Sequence, residues 1–350
     1  MGTTAPSRPT TRRDHRTDVL PLHALDGLPL TLVHVTGRHP PSRGPVLLLH
    51  GAGVRAELFR PPLPRTFVDG LLDAGWDVWM GNWRASIDLE PVPWTLDDAA
   101  ACDHPALVRA VLAQTGARTL KAVVHCQGSS SFVLAAAAGL LPEVDTVVSN
   151  AVSLHPVVPA WSAVKLTRLV PLVARLTPSL SPAWGVRSQG PVSRAVTAVV
   201  RATHRECDNT VCRLVSFTYG SGHPALWSHD HLDEATHAWV RGEFGGAPMS
   251  FFDQMARSVG AGHLVSTRPG LPPDPVAQAP QTDARFVFVA GEDNLCFLPE
   301  SQQRTFEHFA RWRPGRDALH RVRGYGHLDV FLGRHAARDL HPLLLEELSR

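Results

Sequence analysis

A hydrophobic run that ends in a cysteine and passes straight into small residues is the chemically most suggestive stretch of the chain. In Ala122–Ser131 (AVVHCQGSSS) the pattern predicts a strand, a sharp turn and a helix. That is the context of a nucleophile elbow, a tight turn that pushes its central side chain into a cleft and needs small neighbours. Here the centre is Cys126, with His125 and Gln127 beside it and Gly128 two residues on. Two positions depart from the usual pattern. Cys stands where Ser is common, and Val124 stands where a glycine normally relieves the turn. A thiol at a helix N-terminus is favoured as thiolate by the dipole and the free N–H groups, and a nearby imidazole would favour it further.

Other residues can be placed around that nucleophile. An oxyanion hole takes one N–H from the residue after the nucleophile, Gln127, and one from the loop after the third strand. That loop is His50-Gly51-Ala52-Gly53, and Ala52 is the expected second donor. Acid and base should follow in chain order, each just past a later strand. Gly291-Glu292-Asp293-Asn294 supplies Asp293 as the expected acid, with Glu292 as the alternative. Arg323-Gly324-Tyr325-Gly326-His327 supplies His327 as the expected base, on a Gly-rich loop able to reach a cleft.

The elements that must position these groups follow from periodicity. Val19–Ala24 and Leu30–Thr36, split by Asp26-Gly27, read as a hairpin. Unbroken apolar runs at Pro45–His50, Trp76–Gly81, Leu120–His125, Val144–Ala151 and Arg285–Ala290 read as strands, the pattern of buried parallel sheet, and Leu319–Val322 reads as a last short strand. Helical patterns cover Thr66–Ala74, Asp103–Gln114, Gly128–Leu141 and Pro299–Arg311, and Leu328–Leu348 with a break expected near Pro342. The β-α alternation predicts a right-handed, mostly parallel sheet covered on both faces. It lapses over residues 155–280, where prolines separate short helical stretches, among them Trp161–Leu176 interrupted by Pro171. The expected organisation is a disordered leader (1–18), a core (19–154 and 281–350) and a helical cap or lid (155–280) inserted after the sixth strand.

Composition narrows the function classes. The chain has 350 residues, 44% hydrophobic and 19% charged, with a net charge of +2. It is neither a disordered chain nor one with a strong pull toward nucleic acid. Only Lys121 and Lys165 are lysines. Five cysteines cannot all pair within one chain. The start has no apolar segment behind its arginines, and no apolar run is long enough to span a bilayer. The expectations are a cytoplasmic protein, no stable membrane insertion, no nucleic-acid partner and no cofactor. Cys207 and Cys212 have x4 spacing with His204 nearby, but a fourth ligand is not evident, so no metal is expected.

Several segments resemble those of α/β-hydrolases of the acid-lipase branch. HGAGVRAELF resembles their oxyanion loop, and DVWMGNWRAS their Gly-Asn-Ser-Arg-Gly segment. WTLDDAAACDHPALVRAVLAQTGARTLKAVVHCQGSS resembles the block of helix, strand and elbow, while GEDNLCFLPES and GYGHLDVFLG resemble the acid and histidine loops. With HCQGS, CDNTVCR and FGGAPMSFFDQM, the chain is more similar still to the hydrolase-like domain fused to cholesterol-oxidase-type glucose–methanol–choline oxidoreductases, although it has no oxidoreductase half. More locally it resembles polyhydroxyalkanoate synthases, which also place Cys in the elbow. The resemblance implies the α/β-hydrolase fold, a mostly parallel eight-stranded sheet with a helical cap after strand six, and a Cys126–His327–Asp293 triad.

The expected chemistry is attack by Cys126 on a small lipophilic ester or thioester, an oxyanion held by Ala52 and Gln127, and an acyl-cysteine intermediate. Hydrolysis and transfer to another acceptor both fit, since an acyl thioester is open to amines and thiols. Proton-transfer or cyclisation chemistry, or binding without catalysis, are the alternatives on the same scaffold. Candidate substrate contacts are His50, Gly51, Trp83, His125, Trp161, Leu166, Leu169, Phe217 and Leu328, with Val170, Val173 and Trp184 as further apolar candidates from the insertion.

Overall fold

The computed structural model describes residues 15–188, 190–222 and 224–350. Eight strands form one sheet: β1 (Arg16–His23), β2 (Pro29–Thr36), β3 (Pro45–Leu49), β4 (Asp77–Asn82), β5 (Leu120–His125), β6 (Val144–Asn150), β9 (Arg285–Gly291) and β10 (Ala318–Val322). Two short strands, β7 (Ser179–Leu180) and β8 (Ala247–Pro248), pair antiparallel apart from it. The order in the main sheet is β1-β2-β4-β3-β5-β6-β9-β10. β2 runs antiparallel to both β1 and β4, and every other neighbour pair is parallel. The eight-stranded, mostly parallel sheet is the one the sequence predicts. Gly27, at φ +86°, makes the hairpin turn between β1 and β2.

Alternate residues of the central strands serve opposite faces. Leu47, Leu49, Val124 and Phe288 pack into one layer, and Val46, Leu48, Val123 and Val289 into the other. That two-sided burial is why these strands read as unbroken apolar runs rather than as alternating ones. The helix Phe67–Asp73 is started by Thr66, whose hydroxyl and backbone N–H exchange hydrogen bonds with Asp69.

Several boundaries differ from expectation. β1 begins at Arg16, so residues 16–18 belong to the sheet rather than to a leader; residues 1–14 of that leader lie outside the described residues. The elbow helix starts earlier, spanning Cys126–Ala137. The C-terminal helical stretch breaks at Gly333 and Leu340, and Pro342 sits in the first turn of the helix His341–Ser349, where a missing N–H costs nothing.

Between β6 and β9, residues 151–284 leave the sheet for a set of helices, including Gly190–Thr203, Thr210–Tyr219 and Met249–Ala261, together with the β7–β8 pair. The stretch expected as one helix over Trp161–Leu176 is three pieces: Ala160–Val164, a π-helical turn at Lys165–Leu169, and Val170–Val173. Pro171 cannot donate to the carbonyl four residues back, so the wider turn falls just ahead of it. Among the described residues no helix is long and apolar enough to cross a membrane.

Candidate active site

β5 ends at His125 with extended backbone, and Cys126 follows at φ +54°. Among the described residues only Cys126 and Ala151 take a positive φ without being glycine. Such a conformation costs about 1–3 kcal/mol and persists only where packing enforces it. Here the packing is glycine-dependent. A Cβ on Gly128 would lie 2.2 Å from the carbonyl oxygen of His50, and one on Gly51 would lie 2.8 Å from Cβ of Cys126. The elbow therefore closes without the glycine that Val124 replaces, because the close approaches fall at Gly51 and Gly128. Gly128→Ala is expected to destabilise the protein by about 1–3 kcal/mol in denaturant unfolding, although alanine is the better helix former. Gly242→Ala, where a Cβ would meet nothing within 4 Å, serves as the control. Equal stability of the two variants would refute this account of the elbow.

The backbone N–H groups of Gln127 and Ala52 both face the Cys126 sulfur. The Ala52 donor is aimed by its neighbour. Nδ1 of His50 lies 2.7 Å from the carbonyl oxygen of Gly51 and donates to it. In that trans peptide plane the N–H of Ala52 points the opposite way, toward the sulfur. The carbonyl of His50 in turn accepts the indole N–H of Trp83 at 2.9 Å. His50 and Trp83 are fully buried and off the cavity wall, so they hold the Gly51–Gly53 loop from beneath and do not line the cavity as expected.

His327 arrives from the loop after β10. Sγ of Cys126 and one ring nitrogen each from His125 and His327 all lie within 4.8 Å of one another. The His125 and His327 rings meet edge to face, 4.7 Å between centroids. The loop is pinned by buried Asp329, whose carboxylate accepts the N–H groups of Gly326 and Ser228.

The expected acid is not in the site. Asp293 is exposed, and the alternative Glu292 pairs with Arg321 and Arg323 on the surface. The partner of His327 is the next residue, Asn294, buried, with Nδ2 3.1 Å from Nδ1 of the imidazole. The orientation of that amide is fixed by its other end, where Oδ1 accepts the backbone N–H groups of Cys296 and Phe297 at 2.9 and 3.0 Å. Nδ2 must therefore donate, Nδ1 must accept, and the proton of a neutral His327 sits on Nε2. Burial pushes the His327 imidazole down to about 3. It pushes the Cys126 thiol up to about 12, against the opposing pull of the two backbone N–H groups. At neutral pH the resting site holds a thiol and a neutral imidazole, not an ion pair.

Above the sulfur lies an almost wholly apolar cavity between the sheet edge and the insertion. Of the expected contacts, Gly51, His125, Leu166, Leu169, Phe217 and Leu328 line it, as do Val170 and Val173. Trp161 does not, being 60% exposed on the outer surface, and Trp184 packs with Val200 and Leu214 elsewhere. Beyond Ser162 and Thr218, three polar lining residues were not foreseen from sequence. Among the described residues, Lys165 is the one formally charged side chain on the wall. Its Nζ donates to the carbonyls of Phe217 and Gly220 at 2.6 and 2.5 Å, and burial pulls its ammonium down to about 8. The Tyr219 hydroxyl is buried without a partner, against Gly53 of the loop after β3. Cys296 has its thiol pushed well up by burial and lies close enough to interact electrostatically with Cys126 and Lys165. The lone lysine in a run of apolar residues was the signal available for the first; nothing local marks the other two.

Comparison with known proteins fits this architecture. A family profile described as the alpha/beta hydrolase fold matches residues 44–170. No curated protein sequence matches the chain. The structure is similar to that of the Paleococcus ferrophilus monoacylglycerol lipase, at 15% identity over 91% of this chain and 98% of that one, with a TM-score of 0.57. It is similar to DcsB in complex with its substrate analogue, at 14% identity over 95% and 99%, TM-score 0.57. It is also similar to a thermophilic esterase from Thermogutta terrifontis, at 13% identity over 95% and 98%, TM-score 0.56. The chain has the α/β-hydrolase fold, with its elbow after β5 and its histidine loop after β10.

Proposed function

We propose that this protein is an acyl-transfer enzyme that takes a lipophilic ester or thioester through an acyl-cysteine intermediate on Cys126. The observation that supports it best is the convergence of a thiol on a left-handed elbow, two backbone N–H groups aimed at its sulfur and a histidine at its side, on the floor of an apolar cavity. The lipase and the esterases among its structural relatives favour the same class of chemistry.

In the reactive arrangement Sγ attacks the substrate carbonyl carbon, and the carbonyl oxygen takes up negative charge against the N–H groups of Ala52 and Gln127. The thiol proton passes to Nε2 of His327 and from there to the departing alkoxide or thiolate. Nε2 must be free for this, so the imidazole proton must move to Nδ1 and the Asn294 amide must turn its oxygen toward it. Turning breaks the two bonds from Cys296 and Phe297, a cost of about 2–6 kcal/mol. The triad is Cys126–His327–Asn294, and at rest it is switched off by the amide of its third member.

Hydrolysis as in esterases and lipases is the simplest outcome. Transfer to another acceptor is the second reading, and Asn294 favours it. A histidine biased toward the Nε2–H form activates water poorly, whereas an amine or thiol acceptor needs less help against a thioester. Lys165 spends two of its three N–H groups on carbonyls and leaves one for the substrate, so the acyl donor carries an oxygen acceptor away from the scissile bond. The resemblance of HCQGS and its companion segments to the domain fused to cholesterol-oxidase-type enzymes is consistent with a lipophilic substrate.

Turnover of a panel of p-nitrophenyl esters and acyl thioesters, with and without amine and thiol acceptors, tests the proposal. Cys126→Ala is expected to lower the rate on the best substrate by at least about 10³-fold while the far-UV circular dichroism stays unchanged. Undiminished turnover by that variant would rule out the acyl-cysteine route.

A further inference from the structure

The insertion holds a second convergence of side chains, remote in sequence from the cavity residues of the core. Cys207 lies in the turn before the helix Thr210–Tyr219 and Cys212 lies on its first turn. His229 opens the short 3-10 turn His229–His231, and His237 lies on the helix Glu234–Trp239. One ligand atom from each of the four, two thiol sulfurs and two imidazole nitrogens, lies within 4.8 Å of all the others. Sγ of Cys212 is 3.3 Å from Nε2 of His229, and the His229 and His237 rings meet at 72° with centroids 4.9 Å apart.

Three independent features show that the cluster is built. Nε2 of His237 is buried and has no hydrogen-bond partner. Asn209, itself buried, clamps the ligand-bearing segments: its Oδ1 accepts the N–H groups of Val211 and Cys212, and its Nδ2 donates to the carbonyl of His237 at 2.7 Å. The indole N–H of Trp227, also buried and unpartnered, lies beside Cys212, where it would donate to a metal-bound thiolate. His204, the histidine singled out from sequence, is elsewhere, against the Phe217 ring.

We propose that Cys207, Cys212, His229 and His237 bind one zinc ion. Two thiolates and two imidazoles are a zinc donor set, and tetrahedral zinc with bonds of about 2.0–2.3 Å sets its ligand atoms about 3.3–3.8 Å apart. The Cys212–His229 pair already stands at that spacing, 3.3 Å, and the other ligand atoms lie within 4.8 Å, so the four would close in by about 1 Å around the ion. Four protein ligands leave no open position, so the ion is structural and takes no part in the reaction. Its role follows from what it joins. The helix that carries Cys212 also carries Phe217 and Tyr219 to the cavity wall. His231, two residues beyond His229, bonds Asp329, the carboxylate that pins the histidine loop. Zinc would therefore set both the roof of the cavity and the seat of His327. The expectation of no metal rested on the lack of a visible fourth ligand, and His229 and His237 would complete the set.

The test is the metal content of the full chain purified without chelator from zinc-supplemented cells, measured by plasma mass spectrometry. About one zinc per chain is expected, with cobalt exchange giving the thiolate charge-transfer and intense visible bands of a tetrahedral sulfur–nitrogen site. Cys212→Ser and His237→Ala are expected to lose zinc by at least about tenfold. Cys126→Ala must keep it, which separates this site from the His125, Cys126 and His327 group. Because the cluster variants can fail to fold, the wild-type result decides by itself. Less than about 0.1 zinc per chain with no cobalt–thiolate band, or a Cys207–Cys212 disulfide in the purified protein, would overturn the proposal. Loss of zinc in Cys126→Ala instead of in the cluster variants would do the same.

Discussion

Replacing Asn294 by aspartate is expected to speed reaction of Cys126 with iodoacetamide and with acyl donors at pH 7 by about 10²- to 10⁴-fold. In the native site the Asn294 amide donates to Nδ1 and so keeps the imidazole proton on Nε2, facing away from a base's role. A carboxylate at the same place would accept from Nδ1–H and would still accept the N–H groups of Cys296 and Phe297. Those two bonds keep it ionised, its charge stabilises an imidazolium, and Nε2 becomes free to take the thiol proton. The reverse change in a Ser-His-Asp triad costs about 10⁴ through the wrong tautomer, which sets the upper end of the range. Alkylation followed by mass spectrometry reads the effect directly. A folded variant no faster than the native protein would show that the Asn294 amide does not hold the thiol in check.

Acid is expected to unfold this protein early, with a midpoint between about pH 4 and 5. His50, His104, His327 and His341 are buried, and burial pushes their imidazoles down to about 4, 3, 3 and 4. A base whose folded pKa lies below its unfolded value binds a proton more readily in the unfolded chain. Its contribution is complete above about 6.5 and is lost as pH falls toward the folded value. By pH 5 each such group favours unfolding by about 2 kcal/mol, and four of them by about 8 kcal/mol, comparable with the whole stability of a domain. His229 and His231 work the other way, because Cys207 and Asp329 favour their charged forms, but they are two groups against four. Circular dichroism across a pH series should show a steep transition. A protein still folded at pH 3 would contradict the burial assigned to these rings.

The core was legible in the sequence because burial on both sheet faces leaves unbroken apolar runs, and the elbow was legible because a strand, a thiol and Gly128 stand together. The two backbone N–H groups that face its sulfur followed from the same geometry. The side chain that partners His327 did not. Residue type pointed to Asp293, but which side chain of a four-residue turn enters the cleft is decided by the turn, and there Asn294 points inward. The available signal was its chemistry, since an asparagine whose oxygen accepts N–H groups two and three residues on is a common way to shape such a loop. His50 and Trp83 were misplaced because a loop next to a cleft has an underside that sequence cannot distinguish from its face. Trp161 failed for a related reason. It belongs to an apolar stripe with Leu172 and Leu176, and all three are exposed. His229 and His237 could not be joined to Cys207 and Cys212, because the segments that bring them together have no periodicity to count.

The central claim is that Cys126 carries the acyl group. Intact mass spectrometry after brief exposure to a lipophilic acyl thioester, followed by peptide mapping, tests it most directly. A single acyl adduct on Cys126, absent from Cys126→Ala and discharged by an added amine or thiol acceptor, is the predicted result. Turnover of the same substrate with no adduct on Cys126, or an adduct on Lys165 or Cys296 instead, would contradict it.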